Sequence, residues 1–193
     1  MPDTPPPGRR ERKKAATRQA IADAALDLFS EHGFDQVSVR DIAERADVST
    51  TTLFAHFPGK EALVFDRSEE IEAAMTAAVR QRPEGQSVVE ALLGHALTTW
   101  VHIAEDPRRA RFNALVNGTP ILREYGERMW MRHTDALAAA IAEETGRAPD
   151  DLASAALARF VLQIPTLAEG RTDPASAVET VFDLLTNGWE PAP

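Results

Sequence analysis

The stretch Ser49–Lys60 reads S-T-T-T-L-F-A-H-F-P-G-K. Leu53 and Phe57, four positions apart, fall on one side of a helix of about two turns, and Ser49 is placed to cap it. The opposite side then carries Thr50, Thr51, Thr52, Phe54, Ala55 and His56, a set of short donors, acceptors and methyls without a full charge. A helix that only faced solvent would show Lys and Glu there. Hydroxyls of this kind meet base edges or phosphates in a DNA major groove, threonine methyls meet thymine methyls, and short side chains let the backbone come close. Small residues around a turn, taken alone, describe a plain helical hairpin equally well.

A helix this short cannot hold itself in water, so its neighbours must aim it. Ser38 followed by Asp41 is a capping-box-like start for a preceding helix over about Val39–Ala46. Ile42, Ala43 and Ala46 form its apolar side, and Asp47-Val48 is the connection. Upstream, Ile21, Ala24, Ala25, Leu28 and Phe29 recur at helical spacing in a helix over about Arg12–Glu31, which Gly33 stops, and Phe34 and Val37 close the small core. Met1–Gly8 is proline-rich and expected to be disordered or extended. Arg9–Lys14 is a basic arm toward phosphates or a minor groove, with a solubility tail as the alternative. Thr17 is a phosphate contact or an ordinary exposed threonine. Lys60 stands where the positive end of the next helix dipole disfavours a cation, which points to a phosphate contact.

As a whole, I-A-x-x-A-x-V-S-T-T-T-L-F-A-H-F-P-G-K-E-A-L resembles the N-terminal DNA-binding domain of the tetracycline-repressor (TetR) family of bacterial regulators, over about Arg12–Phe65. The resemblance implies a helix-turn-helix domain followed by an all-helical regulatory domain that dimerises and usually binds a small molecule. The candidate DNA contacts are Arg9, Arg10, Thr17, Ser38, Val39, Arg40, Ser49, Thr50, Thr51, Thr52, Phe54, Ala55, His56 and Lys60. Phe54 departs from the pattern, standing where such proteins commonly place a tyrosine whose hydroxyl reaches phosphate. Its ring packs on backbone sugars, or the affinity is carried elsewhere. Thr119–Leu162 is similar, more loosely, to the ligand domain of actinobacterial members akin to the mycofactocin-associated regulator.

The chain has 193 residues, enough for a small domain beside a larger one, and no cysteine, which excludes disulfides, thiolate metal sites and a cysteine nucleophile. No apolar run approaches the roughly 18 to 20 residues of a membrane span, and no apolar segment follows the N-terminal basic residues as in a secretory signal. A cytoplasmic location is the expectation. A net charge of −9 looks wrong for a nucleic-acid binder until it is mapped. Met1–Lys60 carries nine basic against nine acidic residues, the rest twelve against twenty-one, so the acid excess lies beyond Lys60. Such polarity orients the molecule toward DNA.

Punctuation by Gly and Pro predicts about nine helices and an all-α fold, with further helices over about 61–82, 87–105, 107–117, 120–145, 150–169 and 174–187. The expected domains are an arm (1–11), a three-helix DNA-binding domain (12–60) and a helical effector and dimerisation domain (61–193). The effector pocket is assigned to His95, Trp100, His102, Phe112, Asn113, Trp130, His133, Leu137, Phe160 and Gln163, although aromatics at helical spacing are more often core; Pro165 should kink its helix beside such a cavity. The dimer interface is assigned to Leu152, Ala155, Ala156, Arg159, Val178, Val181, Phe182 and Leu185 on the last two helices, with internal core as the alternative. Catalytic and phosphate-loop motifs are absent, so no enzyme, cofactor or metal is expected. The expected function is a homodimeric regulator, a repressor leaving a palindromic operator when a small lipophilic effector binds. The alternatives are a DNA-binding regulator without an effector and a helical interaction module that has lost DNA binding.

Overall fold

The computed structural model of the chain describes residues 8–105 and 108–188, with the side chains of 101–105 outside that description. Within it the fold is all-α: ten helices and no strand among the described residues. They are α1 (Arg9–His32), α2 (Val39–Arg45), α3 (Thr50–His56), α4 (Lys60–Val64), α5 (Ser68–Arg80), α6 (Val88–Glu105), α7 (Arg108–Gly118), α8 (Pro120–Glu144), α9 (Leu152–Ala168) and α10 (Pro174–Asn187). Two compact units divide the chain. One comprises the chain to Asp66 and residues 110–125; the other comprises 67–109 and 126–193.

In the first unit, α1 supplies the wall against which α2, α3 and α4 pack. Ile21, Ala25 and Phe29 of α1 are fully or almost fully buried, as are Ile42, Leu53, Phe57 and Leu63 on or beside the helices that α1 packs against. Phe29 and Phe34 rings lie 5.0 Å apart, and Gly33, at φ 81°, lets the chain turn out of α1 while its N–H caps the Phe29 carbonyl. The turn between α2 and α3 is a Schellman closure. Val48 N–H donates to the Ala43 carbonyl at 2.9 Å and Asp47 N–H to the Glu44 carbonyl at 3.2 Å, with Asp47 left-handed at φ 52°. Residues of α7 and α8 complete this unit. Phe65 stacks on Tyr125 at 5.3 Å and meets Phe112 edge-on at 5.6 Å, and Arg111 lies 3.6 Å from Asp27.

Two expectations change here. The basic arm is helical, because Glu11 accepts the Gly8 N–H at 3.0 Å and α1 starts at Arg9. The single helix expected over 61–82 is two, α4 and α5, separated at Phe65–Arg67. Phe65 leaves helical geometry at φ −104° and ψ 43° as its ring packs into the aromatic group, so core packing outweighs the continuing apolar periodicity. The start expected at Asp106-Pro107, like the proline-rich segment before Gly8, lies outside the described residues.

The second unit has its own core, built from Met75, Val79, Leu92, Ala96, Trp100, Leu137, Ile141, Ala158, Val161, Ile164, Val178 and Phe182. The helix ends are anchored by side chains: Asp151 and Asp173 cap α9 and α10, and Arg82 donates to Glu144 at 2.7 Å and to the Val79 carbonyl at 2.7 Å. Helix α9 runs on through Pro165. Among the described residues no helix is long and apolar enough to cross a membrane.

Candidate nucleic-acid interface

Helix α3 is held by its own first residues and by α1. Ser49 Oγ accepts the Thr52 N–H at 3.0 Å and lies 2.8 Å from the Thr52 hydroxyl, so Ser49 and Thr52 close the N-terminal turn between them. Leu53 and Phe57 are fully buried, as their spacing predicts. What remains outside is Thr50, Thr51, Phe54 and Ala55, all exposed, with Thr52 and His56 half-buried at its margins. Phe54 keeps 52% of its surface exposed. At the start of α2, Ser38 accepts the Asp41 N–H at 3.2 Å and gives its hydroxyl and its own N–H to the Asp41 carboxylate at 2.7 and 2.9 Å. Those bonds hold the Asp41 carboxyl below its ordinary pKa. Ser38 and Ser49 therefore spend their hydroxyls largely as caps, Val39 is half-buried and Arg40 is exposed beside them.

On α1, Arg10, Lys14 and Arg18 recur every fourth residue and so share one side. Arg10, Glu11 and Lys14 with Ala55 and His56 line an open hollow of about 650 Å³ beside the C-terminal end of α3. Burial is the largest cause holding the His56 pKa below its ordinary value, with the positive charges of Lys14 and Arg18 adding to it, and its Nδ1 is buried without a partner. The imidazole therefore stays neutral at pH 7, and the charge in this hollow comes from α1. Lys14 was expected as the end of the basic arm but not named as a contact, although its i, i+4 relation to Arg10 and Arg18 was visible. Arg9 and Arg10 are exposed on the first turn of α1, and Thr17 is half-buried on the same helix.

Lys60 differs most from expectation. Its ammonium donates to the Phe34 carbonyl and sits 4.3 Å from the Phe34 ring centre and 5.6 Å from that of Phe29. Burial lowers its pKa, against the raising influence of Asp35 and Glu61. The helix dipole disfavours a cation at the first turn of α4. The side chain answers that conflict by folding back onto the π faces and a carbonyl oxygen, not by projecting toward a phosphate.

The residues assigned to an effector pocket are divided between the two units. Phe112 and Asn113 belong to the first unit and the others to the second. Trp100, His133 and Leu137 are buried in the second unit's packing, whereas Trp130, Phe160 and Gln163 face outward. The His102 side chain lies outside the described residues. His133 Nε2 lies 3.1 Å from the Ser68 hydroxyl and 3.6 Å from Glu72, its ring 5.2 Å edge-on to Trp130. His95 borders an open groove of about 330 Å³ between α5 and α6, lined by Ala74, Ala78, Arg82 and Gly94 among others.

The assigned dimer residues also sort in two. Val178 and Phe182 are each 1% exposed and belong to the core, so they cannot meet a partner. Val181, Leu185 and Ala156 are half-buried, while Leu152, Ala155 and Arg159 are exposed. Sequence reasoning named Leu152 for the interface and Phe160 and Gln163 for the pocket, but not Leu167, and did not join them into one outward stripe on α9. Leu152, Phe160 and Leu167 are 82, 56 and 52% exposed and, with Ala156 and Gln163, run down one side of the helix at its own spacing. Leu184 on α10 is 43% exposed.

Residues 21–66 match the profile of bacterial regulatory proteins of the tetR family. The match covers the N-terminal domain alone, so residues 21–66 carry a tetR-type N-terminal domain. The HTH-type transcriptional regulator TcmR of Streptomyces glaucescens is 36% identical over 88 residues, 46% of this chain and 39% of TcmR. The chain thus spans less than half the length of the relatives it matches by sequence. Solved structures are similar over more of the fold. Salmonella enterica GusR superposes with a TM-score of 0.59 at 24% identity, covering 90% of this chain and 95% of GusR. The complex of Stenotrophomonas maltophilia SmeT with triclosan does so at 0.57 and 20%, covering 92 and 99%.

Proposed function

We propose that this chain is a cytoplasmic homodimeric transcriptional repressor of the tetR family, with 8–66 as its DNA-binding part and the later helices serving dimerisation and effector response. The observation that carries the DNA reading is the exposed, uncharged side of α3, Thr50, Thr51, Phe54 and Ala55, flanked by the Arg10 and Lys14 cations of α1. The hydroxyls and methyls read base edges, and the cations, with Arg9, Arg40 and Thr17, neutralise or bond phosphates. The apolar stripe on α9 with Leu184 on α10 supports pairing of two copies. Two copies would then present their α3 helices to half-sites roughly 34 to 36 Å apart, or a multiple of that spacing, in a palindromic operator. A mobility-shift assay on the duplex upstream of the chain's own gene tests this directly: a shift abolished by excess of the same duplex but not of an unrelated one supports it, and equal competition by both counts against it.

Release by a small lipophilic effector is the favoured mode of control, supported by the triclosan-bound SmeT of the same fold and by the similarity of Thr119–Leu162 to a ligand domain. An effector that changes operator occupancy needs a coupling of about 1 to 3 kcal/mol. A regulator without an effector is the second reading, favoured by the dense packing of Trp100, His133 and Leu137. Thermal-shift screening with lipophilic compounds separates the two, because only a pocket yields saturable stabilisation that also weakens the DNA complex.

A further inference from the structure

Arg18 lies at the meeting of three elements and takes no part in the set of contacts expected from sequence. Its Nη1 donates to the His56 carbonyl and its Nη2 to the Asp66 carbonyl, each at 2.7 Å, while the guanidinium sits 4.3 Å above the Phe57 ring centre. The His56 carbonyl belongs to the last turn of α3, where intrahelical partners run out. The Asp66 carbonyl closes the non-helical turn between α4 and α5, and the second compact unit begins with the next residue, Arg67. A planar fork suits this task, since it bonds two acceptors in fixed directions while its face lies on an aromatic ring; an ammonium does neither. Both bonds engage the guanidinium inward, within the first unit.

We propose that Arg18 is a positioning residue: it sets the pitch of the recognition helix by tying its C-terminal end to the turn at Phe65–Arg67, so that a change in that turn is passed to α3. The inference rests on the DNA-binding reading for its consequence, but not for its geometry. Helix α3 has seven residues and is capped by Ser49 at its start; at its other end Phe57 N–H donates to the Leu53 carbonyl, and Arg18 adds the side-chain bond to the His56 carbonyl. A change in the backbone at Asp66–Arg67 must either break the second guanidinium bond or carry the first with it.

The test uses the full chain and two substitutions, Arg18→Lys and Arg67→Gly, alone and together. Amide hydrogen exchange is read at His56 and Phe57, with α2 as the internal reference. The expected result is exchange about tenfold faster in either single variant, with α2 unchanged, and no further gain in the pair because the connection is already cut. Additive effects, or no change at α3, overturn the proposal without reference to DNA. On a duplex enriched from a random pool by the wild-type chain, Arg18→Lys should lose about tenfold in discrimination against unrelated DNA with an unchanged salt slope. Arg18→Ala should keep that slope too, and a slope lower by about 0.9 there would make Arg18 a phosphate contact instead. Val37→Ala, a core change in the same unit, controls for stability; an equal loss of discrimination from it would reduce Arg18 to a structural role. Failure of the wild-type chain to enrich any duplex defeats the DNA reading while the exchange result still decides the linkage.

Discussion

Replacing Phe160 with alanine should split the dimer. A phenylalanine side chain buries roughly 200 Å² when fully covered. At 56% exposure in the single chain, roughly 110 Å² is left for a partner to cover. At about 25 cal/mol per Å² that is about 2.8 kcal/mol, of which alanine would retain a fraction, leaving a loss of about 2 kcal/mol per chain. An isologous interface suffers the loss twice, so the dimer weakens by about 4 kcal/mol, or roughly a hundred- to a thousandfold in dissociation constant. Sedimentation equilibrium across nanomolar to tens of micromolar chain reads this range. Met131, 55% exposed on α8 and outside the α9 stripe, provides the control, and Met131→Ala should leave the equilibrium alone. The reasoning is refuted if the Phe160 variant dimerises as tightly as the wild type, or if only the Met131 variant dissociates.

Lys60→Ala should lower stability by about 1 to 2 kcal/mol, through loss of the cation–π contacts and of the donor to the Phe34 carbonyl, while leaving the salt slope of DNA binding unchanged; denaturant melts and salt titrations check the two halves. Asp47→Gly should raise stability by about 1 kcal/mol, because aspartate there is held at φ 52°, and urea unfolding would expose the opposite sign at once. The pH dependence follows from three histidines. Burial holds His133, His95 and His56 below the ordinary 6.5, against a raising influence of Glu72 at His133, so the unfolded chain binds more protons than the folded one below that value. Their contribution to stability is full above pH 6.5 and lost as pH falls toward the folded-state values. Melting temperature should therefore level off above neutrality and decline on acidification, with His133→Gln showing a shallower decline. A curve flat from pH 7 to 5.5 contradicts this account.

Local chemistry was the legible part. The caps at Ser38 and Ser49, the inward pair Leu53 and Phe57 and the exposure of Thr50 and Thr51 follow from spacing and hydrogen-bonding capacity over four residues, and they stand as read, while Thr52 is half-buried against Ser49. Tertiary choices were not legible. Leu63, Val64 and Phe65 continue into Ile71 and Met75 with an apolar repeat that one helix satisfies as well as two; at the break the ring of Phe65 packs on Tyr125 and Phe112 and the Asp66 carbonyl accepts from Arg18, partners that the repeat does not show. On α9 and α10 aliphatic and alanine residues occupy more than one side, so periodicity cannot tell the core from a partner's face: Phe182, assigned to the interface, is core, and Phe160, assigned to the pocket, is exposed. Lys60 and Arg18 are cations whose partners are carbonyls distant in sequence, and a carbonyl leaves no mark on residue type.

That paired α3 helices read duplex DNA is tested most directly by selecting from a random pool of duplexes with the full chain and determining the sequence and stoichiometry of what it retains. The account predicts an inverted repeat bound by an even number of chains, with half-site centres one helical turn or a multiple apart, and loss of base preference at a single position of each half-site in Thr51→Ala. Retention of no preferred sequence, or of one without inverted symmetry bound by a lone chain, contradicts it.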